Sequence, residues 1–323
     1  MSITDSIFIL PDTVLVILGF ILLIVGGESV VQGAITVAKK MNVSPLLIGF
    51  TIVAVGTSLP ELAVTIKAVS SNNQQLVDLA VGGVLGSNVA NIMLVLGTAA
   101  MLGACEDPGL GIKKDAIAVV IASIILLITV MMGEISEIVG IAMLISLALF
   151  YAYSYIYSKK LGLEDELDET WIGENMVVAM GVMTFGGIMI FTGAELLIEG
   201  STGIATSMGI SETIVGLSII ALGTSLPELA VTIIAALRGH KGVAIGNILG
   251  SNVINILGIL GVGSTYAGGI LISNEFAGRD IWVVLITSGL VAVMLLGEKQ
   301  IGKKIGLTMV IGYLLYMVFL YSF

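Results

Sequence analysis

One undecapeptide constrains this chain more than any other feature: GTSLPELAVTI occurs twice, as Gly56–Ile66 and as Gly223–Ile233. Eleven consecutive identities inside otherwise apolar sequence require an internal duplication. The echo extends beyond the motif, since Gly19–Thr57 aligns without gaps on Gly186–Thr224 and pairs Glu28 with Glu195, Gly33 with Gly200 and Gly49 with Gly216. Further on, GSNVAN (Gly86–Asn91) answers GSNVIN (Gly250–Asn255). The chain therefore divides into two related halves, 1–158 and 174–323, joined by a short acidic loop at 159–173. Whatever the protein does, the two halves do together.

The halves are too greasy for a soluble domain. Hydrophobic residues make up 57% of the chain and charged residues only 11%, and the mean hydropathy is +1.12. These values define a polytopic membrane protein. The net charge of −10 comes from loops, and the thirteen basic residues are scattered in pairs, which leaves no surface for nucleic acid. A single cysteine, Cys105, excludes an intramolecular disulfide and any multi-cysteine metal site. Residues 1–10 hold no basic n-region and no cleavage site, so the first span is expected to be retained.

Ten segments are long enough to cross a hydrocarbon core, at about 20 residues each. They run 12–37, 45–71, 76–103, 115–132, 135–158, 174–206, 212–236, 242–268, 280–296 and 303–322, giving an all-α membrane protein of ten transmembrane helices. With the N-terminus outside, Lys39, Lys40, Lys113, Lys114, Lys159, Lys160, Arg238, Lys241, Lys299, Lys303 and Lys304 fall on the cytoplasmic side. Only Lys67 and Arg279 then lie outside, a strong positive-inside bias that also puts both termini outside. Five spans per half is an odd number, so the second half enters the membrane from the opposite side. Two inverted five-helix repeats are the plan of secondary transporters that alternate access about a midplane site.

The repeated motif shows where that site belongs. Pro60 and Pro227 donate no backbone hydrogen bond and crowd the carbonyl four residues earlier, so each helix is expected to break and to free carbonyls near Ala54–Gly56 and Ala221–Gly223. Such groups persist at membrane depth only where they line a cavity or pack against protein. On a helix, Thr57 and Ser58 share a face with Glu61, and Thr224 and Ser225 share one with Glu228. Hydroxyl, carboxylate and carbonyl oxygens are hard ligands, suited to Na⁺ or Ca²⁺. A carboxylate in mid-span costs ~2.5–3.5 kcal/mol on insertion scales. No Lys or Arg lies within a core span to offset it, which leaves a bound cation or a proton as the counter-charge. The third and eighth spans add Ser87 with Asn91 and Ser251 with Asn255, each pair on one face, while Asn88 and Asn252 point elsewhere.

These residues carry a family resemblance. The chain resembles the Ca²⁺/cation antiporter superfamily and is similar to its prokaryotic sodium/calcium exchangers over essentially its whole length. The most specific parts are the two motif regions, 54–91 and 221–255. The resemblance implies inverted five-helix repeats, four ion sites in a diamond between helices 2, 3, 7 and 8, and sliding of helices 1 and 6 past that core. It also implies a ligand set of Ala54 (carbonyl), Thr57, Ser58, Glu61, Ser87, Asn91, Ala221 (carbonyl), Thr224, Ser225, Glu228 and Ser251. Asn255 belongs at the same site, but stands where some archaeal exchangers and the K⁺-dependent branch carry aspartate, which argues against K⁺ co-transport here. Several Na⁺ exchanged for one Ca²⁺ is the implied reaction, three for one being the family's usual ratio. No cofactor and no obligate protein partner are implied; the partners are the transported ions Na⁺ and Ca²⁺ and the lipid bilayer.

Weaker features place no second site. Glu28 and Glu195 occupy equivalent positions on helices 1 and 6 and are expected at an interface as hydrated or hydrogen-bonded groups. The run Glu164, Asp165, Glu166, Asp168 and Glu169 lacks the order of an EF-hand loop and reads as a solvated linker. An intramembrane hydrolase would need a base beside a nucleophile, and no histidine lies within a span. The alternative within transporters is H⁺/Ca²⁺ exchange, with Glu61 and Glu228 carrying protons. The abundance of hydroxyls and the GTSLPEL spelling favour Na⁺.

Overall fold

A computed structural model describes residues 10–71, 73–105, 111–162, 170–209, 223–297 and 300–322. Nearly all of this is helix. In chain order the helices are α1 (Asp12–Met41), α2 (Pro45–Thr57), α3 (Leu59–Ser70), α4 (Gln74–Met101), α5 (Ile112–Met132), α6 (Glu137–Leu161), α7 (Met176–Ser207), α8 (Leu226–Leu237), α9 (Lys241–Ala267), α10 (Asp280–Leu296) and α11 (Lys303–Ser322). Among the described residues, six of these are long and apolar enough to span a bilayer, with the bent pair α2–α3 as a seventh and α8 and α10 as shorter apolar helices. Each lies on one of the ten expected segments. For the seventh, only the second half is described, because 210–222 lie outside the described residues, as do the acidic residues 164–169.

Local chemistry fixes the helix ends. Ser44, Asn73, Ser136 and Asn175 accept backbone N–H groups at the starts of α2, α4, α6 and α7, satisfying donors that the first turn leaves open. Between α5 and α6 the chain does something that a purely helical expectation omits. Glu134–Ser136 pairs antiparallel with Gly269–Leu271, Ile135 opposite Ile270. This short ladder ties the connection between α5 and α6 to the loop behind α9.

The helices are brought together by small residues. On α1, Gly19, Gly26 and Gly33 recur every seventh position, and the backbones that they meet on α7 run in descending order, Gly193, Gly186 and Ala179. The two helices are therefore antiparallel and in backbone contact along their length. The contact is also self-complementary, because Gly19 corresponds to Gly186 and Gly26 to Gly193 in the repeat alignment. Such reciprocal pairing is the mark of a two-fold relation between like elements. Small residues do the same work elsewhere: Gly246 and Gly250 on α9 face the backbone of α2, and Gly97 on α4 faces Gly306 on α11. The centre of the molecule is α9, whose apolar stretch is 94% buried, against 17% for α6 at the periphery.

Replacing Gly26 by leucine sets its Cβ 2.7 Å from the Gly186 carbonyl oxygen. The substitution is expected to force α1 and α7 apart, at an overpacking cost of ~1–3 kcal/mol. Gly289→Ala, with open space around the new carbon, is expected to leave stability unchanged. Thermal midpoints of the two variants in detergent check this, and equal midpoints would contradict the close packing. A second test uses Cys105, whose thiol burial pushes up to about 12, with the Lys241 charge opposing the shift in part. Thiolate is the reactive form, so folded protein at about pH 8 is expected to resist maleimide and to be labelled only on unfolding, as read by intact mass.

Candidate cation-binding site

The two copies of GTSLPEL start a new helix with the same serine geometry. Ser58 sits at φ −88°, ψ 6° and Ser225 at φ −92°, ψ 2°, both in the sparsely used bridge region between helix and strand. The cause is in the sequence: Pro60 and Pro227 stand at the second position of the following helix, where no N–H is needed, and Pro60 prevents the helix before it from continuing. Across Ser58 the chain turns by 45°. Glu61 and Glu228 then fall in the first turn of the new helices α3 and α8. The free N–H groups of a first turn carry partial positive charge, which favours a carboxylate there.

The break differs in detail from the expectation. It falls at Ser58 rather than at Gly56, and the Ala54 carbonyl is not freed: it accepts the Ser58 N–H at 3.1 Å and the Thr57 hydroxyl at 3.3 Å. The proline removes only the N–H four residues after Gly56, so the carbonyl of Ala54 keeps its helical partner. The Ala221 carbonyl lies outside the described residues.

Side chains from both repeats converge around the breaks. Thr57 Oγ1 lies 3.5 Å from Ser251 Oγ, and Ser87 Oγ lies 3.5 Å from Thr224 Oγ1. These are the same contact seen twice, since Thr57 corresponds to Thr224 and Ser87 to Ser251. Ser58 donates to Glu228 Oε1 at 3.4 Å, joining the first motif to the carboxylate of the second. Glu61 and Glu228 are both buried, at 6% and 1% exposure. Neither forms an ion pair among the described residues, and both oxygens of Glu61 and Oε2 of Glu228 lack any hydrogen-bond donor. Ser225 Oγ and both amide atoms of Asn91 are likewise buried without partners. Buried polar atoms are ordinarily satisfied. A cluster of unsatisfied oxygens around two carboxylates is chemically a receptacle for a hard cation.

Asn255 turns out to face the other repeat. Its Nδ2 donates to Asn88 Oδ1 at 3.3 Å, an amide pair that joins α9 to α4. Beyond this pair α4 and α9 widen into i→i+5 hydrogen-bonded turns, at Asn91–Val95 and Ile254–Leu260. Each such turn inserts a residue and rotates the remainder of its helix, and these bulges recur at functional sites. One residue was missed altogether. Asn247, fully buried on α9, accepts from Thr57 at 3.2 Å and donates to the Glu228 carbonyl at 3.3 Å and to Thr232 at 3.2 Å. Its spacing of four from Ser251 was the available signal. Of the peripheral acids, Glu28 is held by Arg238 at 2.9 Å and by Gln32 at 2.9 Å, while Glu195 is exposed.

Known proteins carry the same plan. The model of the sodium/calcium exchanger protein family matches residues 12–156 and again residues 178–322, once for each repeat. The chain is 34% identical over 316 residues to the putative antiporter CaxA of Alkalimonas amylolytica, covering 96% of this chain and 97% of that one. It is 30% identical to the sodium/calcium exchanger MaX1 of Methanosarcina acetivorans, over 78% of this chain and 82% of that one. A structure of the sodium–calcium exchanger NCX_Mj matches at a TM-score of 0.80 and 29% identity, over 95% of this chain and 97% of that one. Broken helices, duplicated halves and a shared cluster of carboxylates and hydroxyls define a multi-pass membrane antiporter of cations, a transporter in class and not an enzyme. The chain belongs to the sodium/calcium exchanger family.

Two buried carboxylates without a compensating partner among the described residues destabilise the fold that contains them. Glu61→Gln and Glu228→Gln are therefore each expected to raise the thermal midpoint of the purified protein in cation-free buffer. An unchanged or lowered midpoint would mean that the carboxylates are already compensated by protein groups.

Proposed function

We propose that the protein exchanges Na⁺ for Ca²⁺ across the cell membrane by alternating access, with the ions bound between the two repeats near mid-membrane. One observation carries this most: two buried glutamates, without cationic partners among the described residues, stand amid hydroxyl pairs contributed reciprocally by both halves. The ligand set is Thr57, Ser58, Glu61, Ser87 and Asn91 with Thr224, Ser225, Glu228 and Ser251, the carbonyl of Ala221 and the amide of Asn255; the Ala54 carbonyl, which accepts two hydrogen bonds, joins it only if the Thr57 hydroxyl turns away. Two carboxylates neutralise one Ca²⁺, and the more numerous neutral oxygens suit the weaker demands of Na⁺. Because a divalent ion and several monovalent ions compete for the same oxygens, occupancy by one excludes the other, and exchange follows.

The membrane arrangement belongs to the same proposal. Ten spans form two inverted five-helix repeats of a multi-pass cell-membrane protein, with both termini outside. Corresponding helices that run antiparallel, as α1 and α7 do, are what inversion requires, and the positive-inside bias supports the orientation. The glycine seam makes α1 and α7 a unit able to slide against α2, α3, α8 and α9. No K⁺ co-transport is proposed, since Asn255 supplies no third carboxylate.

Proteoliposomes loaded with Na⁺ and diluted into Na⁺-free medium are expected to take up radioactive Ca²⁺, and vesicles driven only by a proton gradient are not. Uptake that follows protons alone would move the chain to H⁺/Ca²⁺ exchange, with the same two glutamates as proton carriers. In the Na⁺-driven assay Glu61→Gln and Glu228→Gln are each expected to abolish flux while the protein remains monodisperse. Flux at the wild-type level in either variant would remove that residue from the site.

A further inference from the structure

Asn247 is where the two halves stop being copies. The alignment of the GSN motifs sets it opposite Gly83, so the first repeat has no amide at this place. Every polar atom of the Asn247 side chain is used. Its Nδ2 donates to the carbonyl of Glu228 and to the hydroxyl of Thr232, and its Oδ1 accepts from Thr57. The orientation of the amide is determined by this network, because a flipped side chain would press Oδ1 against the Glu228 carbonyl oxygen.

The consequence falls on Thr57. A hydroxyl has one hydrogen and two lone pairs. Two of the oxygens beside Thr57 Oγ1, Asn247 Oδ1 at 3.2 Å and the Ala54 carbonyl at 3.3 Å, can only accept. The hydroxyl hydrogen is thus committed to protein, and the lone pairs are left for Ser251 or for a cation. Thr224, the counterpart of Thr57, meets Ser87 in the same way but has no amide from Gly83 to hold it. The two outer parts of the cluster differ in chemistry although their hydroxyl pairs match.

We propose that Asn247 is a positioning residue that fixes the Thr57 hydroxyl as an oxygen donor for a monovalent cation and makes the two halves of the site unequal. This rests on the cation-exchange function above. Ca²⁺ is held chiefly by the two carboxylates, whose attraction scales with ionic charge, whereas Na⁺ depends far more on well-oriented neutral oxygens. Loss of Asn247 therefore weakens Na⁺ selectively. It also uncouples Thr57 from the backbone of Glu228, to which the amide links it.

Equilibrium binding of radioactive Ca²⁺ to the purified protein, with Na⁺ as competitor, tests this. Asn247→Ala is expected to raise the Na⁺ concentration that displaces half of the Ca²⁺ by roughly five- to tenfold, the scale of one oriented hydrogen bond. The Ca²⁺ affinity itself is expected to stay within about twofold, because both carboxylates remain. In a Thr57→Ala background the Asn247→Ala change is expected to have no further effect on Na⁺. Asn247→Ser carries the same expectations and serves if the alanine variant is not monodisperse. Equal losses of Na⁺ and Ca²⁺ affinity, no change in either, or an undiminished effect without the Thr57 hydroxyl would each overturn the assignment. If Na⁺ fails to displace Ca²⁺ from the wild-type protein, the exchange function fails first, which separates the two outcomes.

Discussion

A carboxylate buried at membrane depth with no basic residue beside it is the constraint on which the rest of this structure depends. Glu61 and Glu228 are each tolerable only because the helix breaks one turn earlier and presents the positive end of a new helix. That in turn requires Pro60 and Pro227, bridge-region backbone at Ser58 and Ser225, and tight burial of the backbone on either side. Gly246 and Gly250 of α9 bring backbone against backbone behind the first break. Polar groups line the front. What the described residues do not supply is enough donors, so the two carboxylates carry a residual demand for positive charge.

Duplication explains how such a costly arrangement arises in pairs. The α1–α7 seam, the two Thr–Ser contacts and the two serine hinges are each one contact made twice by a two-fold relation. A self-complementary interface of this kind needs only one solution to its packing problem. Departures from symmetry then mark places where the halves have separate tasks. Asn247 against Gly83 is one such place. Glu28 is another, since its partner Arg238 corresponds to Ser71 in the other repeat, and Glu195 is left exposed.

Much of this was legible in the chain. Proline after glycine predicted the break near Ser58, the duplicated motif predicted the same serine geometry in its second copy, and the hydropathy pattern located the six long helices to within a few residues. What was not legible lay mostly between segments. Steps of three and four give the faces of single helices, and they do not show that Asn88 of one repeat meets Asn255 of the other. The Ala54 carbonyl was expected to be free because proline is disruptive, but the lost N–H belongs to a different carbonyl. The short ladder at Glu134–Ser136 escaped notice because three residues carry too little pattern to read.

By itself, then, the sequence determined the membrane class, the duplication, the position of the described helix break and the two acidic residues that the repeats share. Those properties follow from composition, from identity between segments and from the covalent chemistry of proline, all of which are local. Only the tertiary structure decided which hydroxyl meets which, that Asn247 reaches Thr57 across 190 positions of the chain, and that α1 and α7 pack as an antiparallel reciprocal pair. Contacts between segments far apart in the chain depend on the summed packing of all the helices at once, and no short stretch of sequence encodes them.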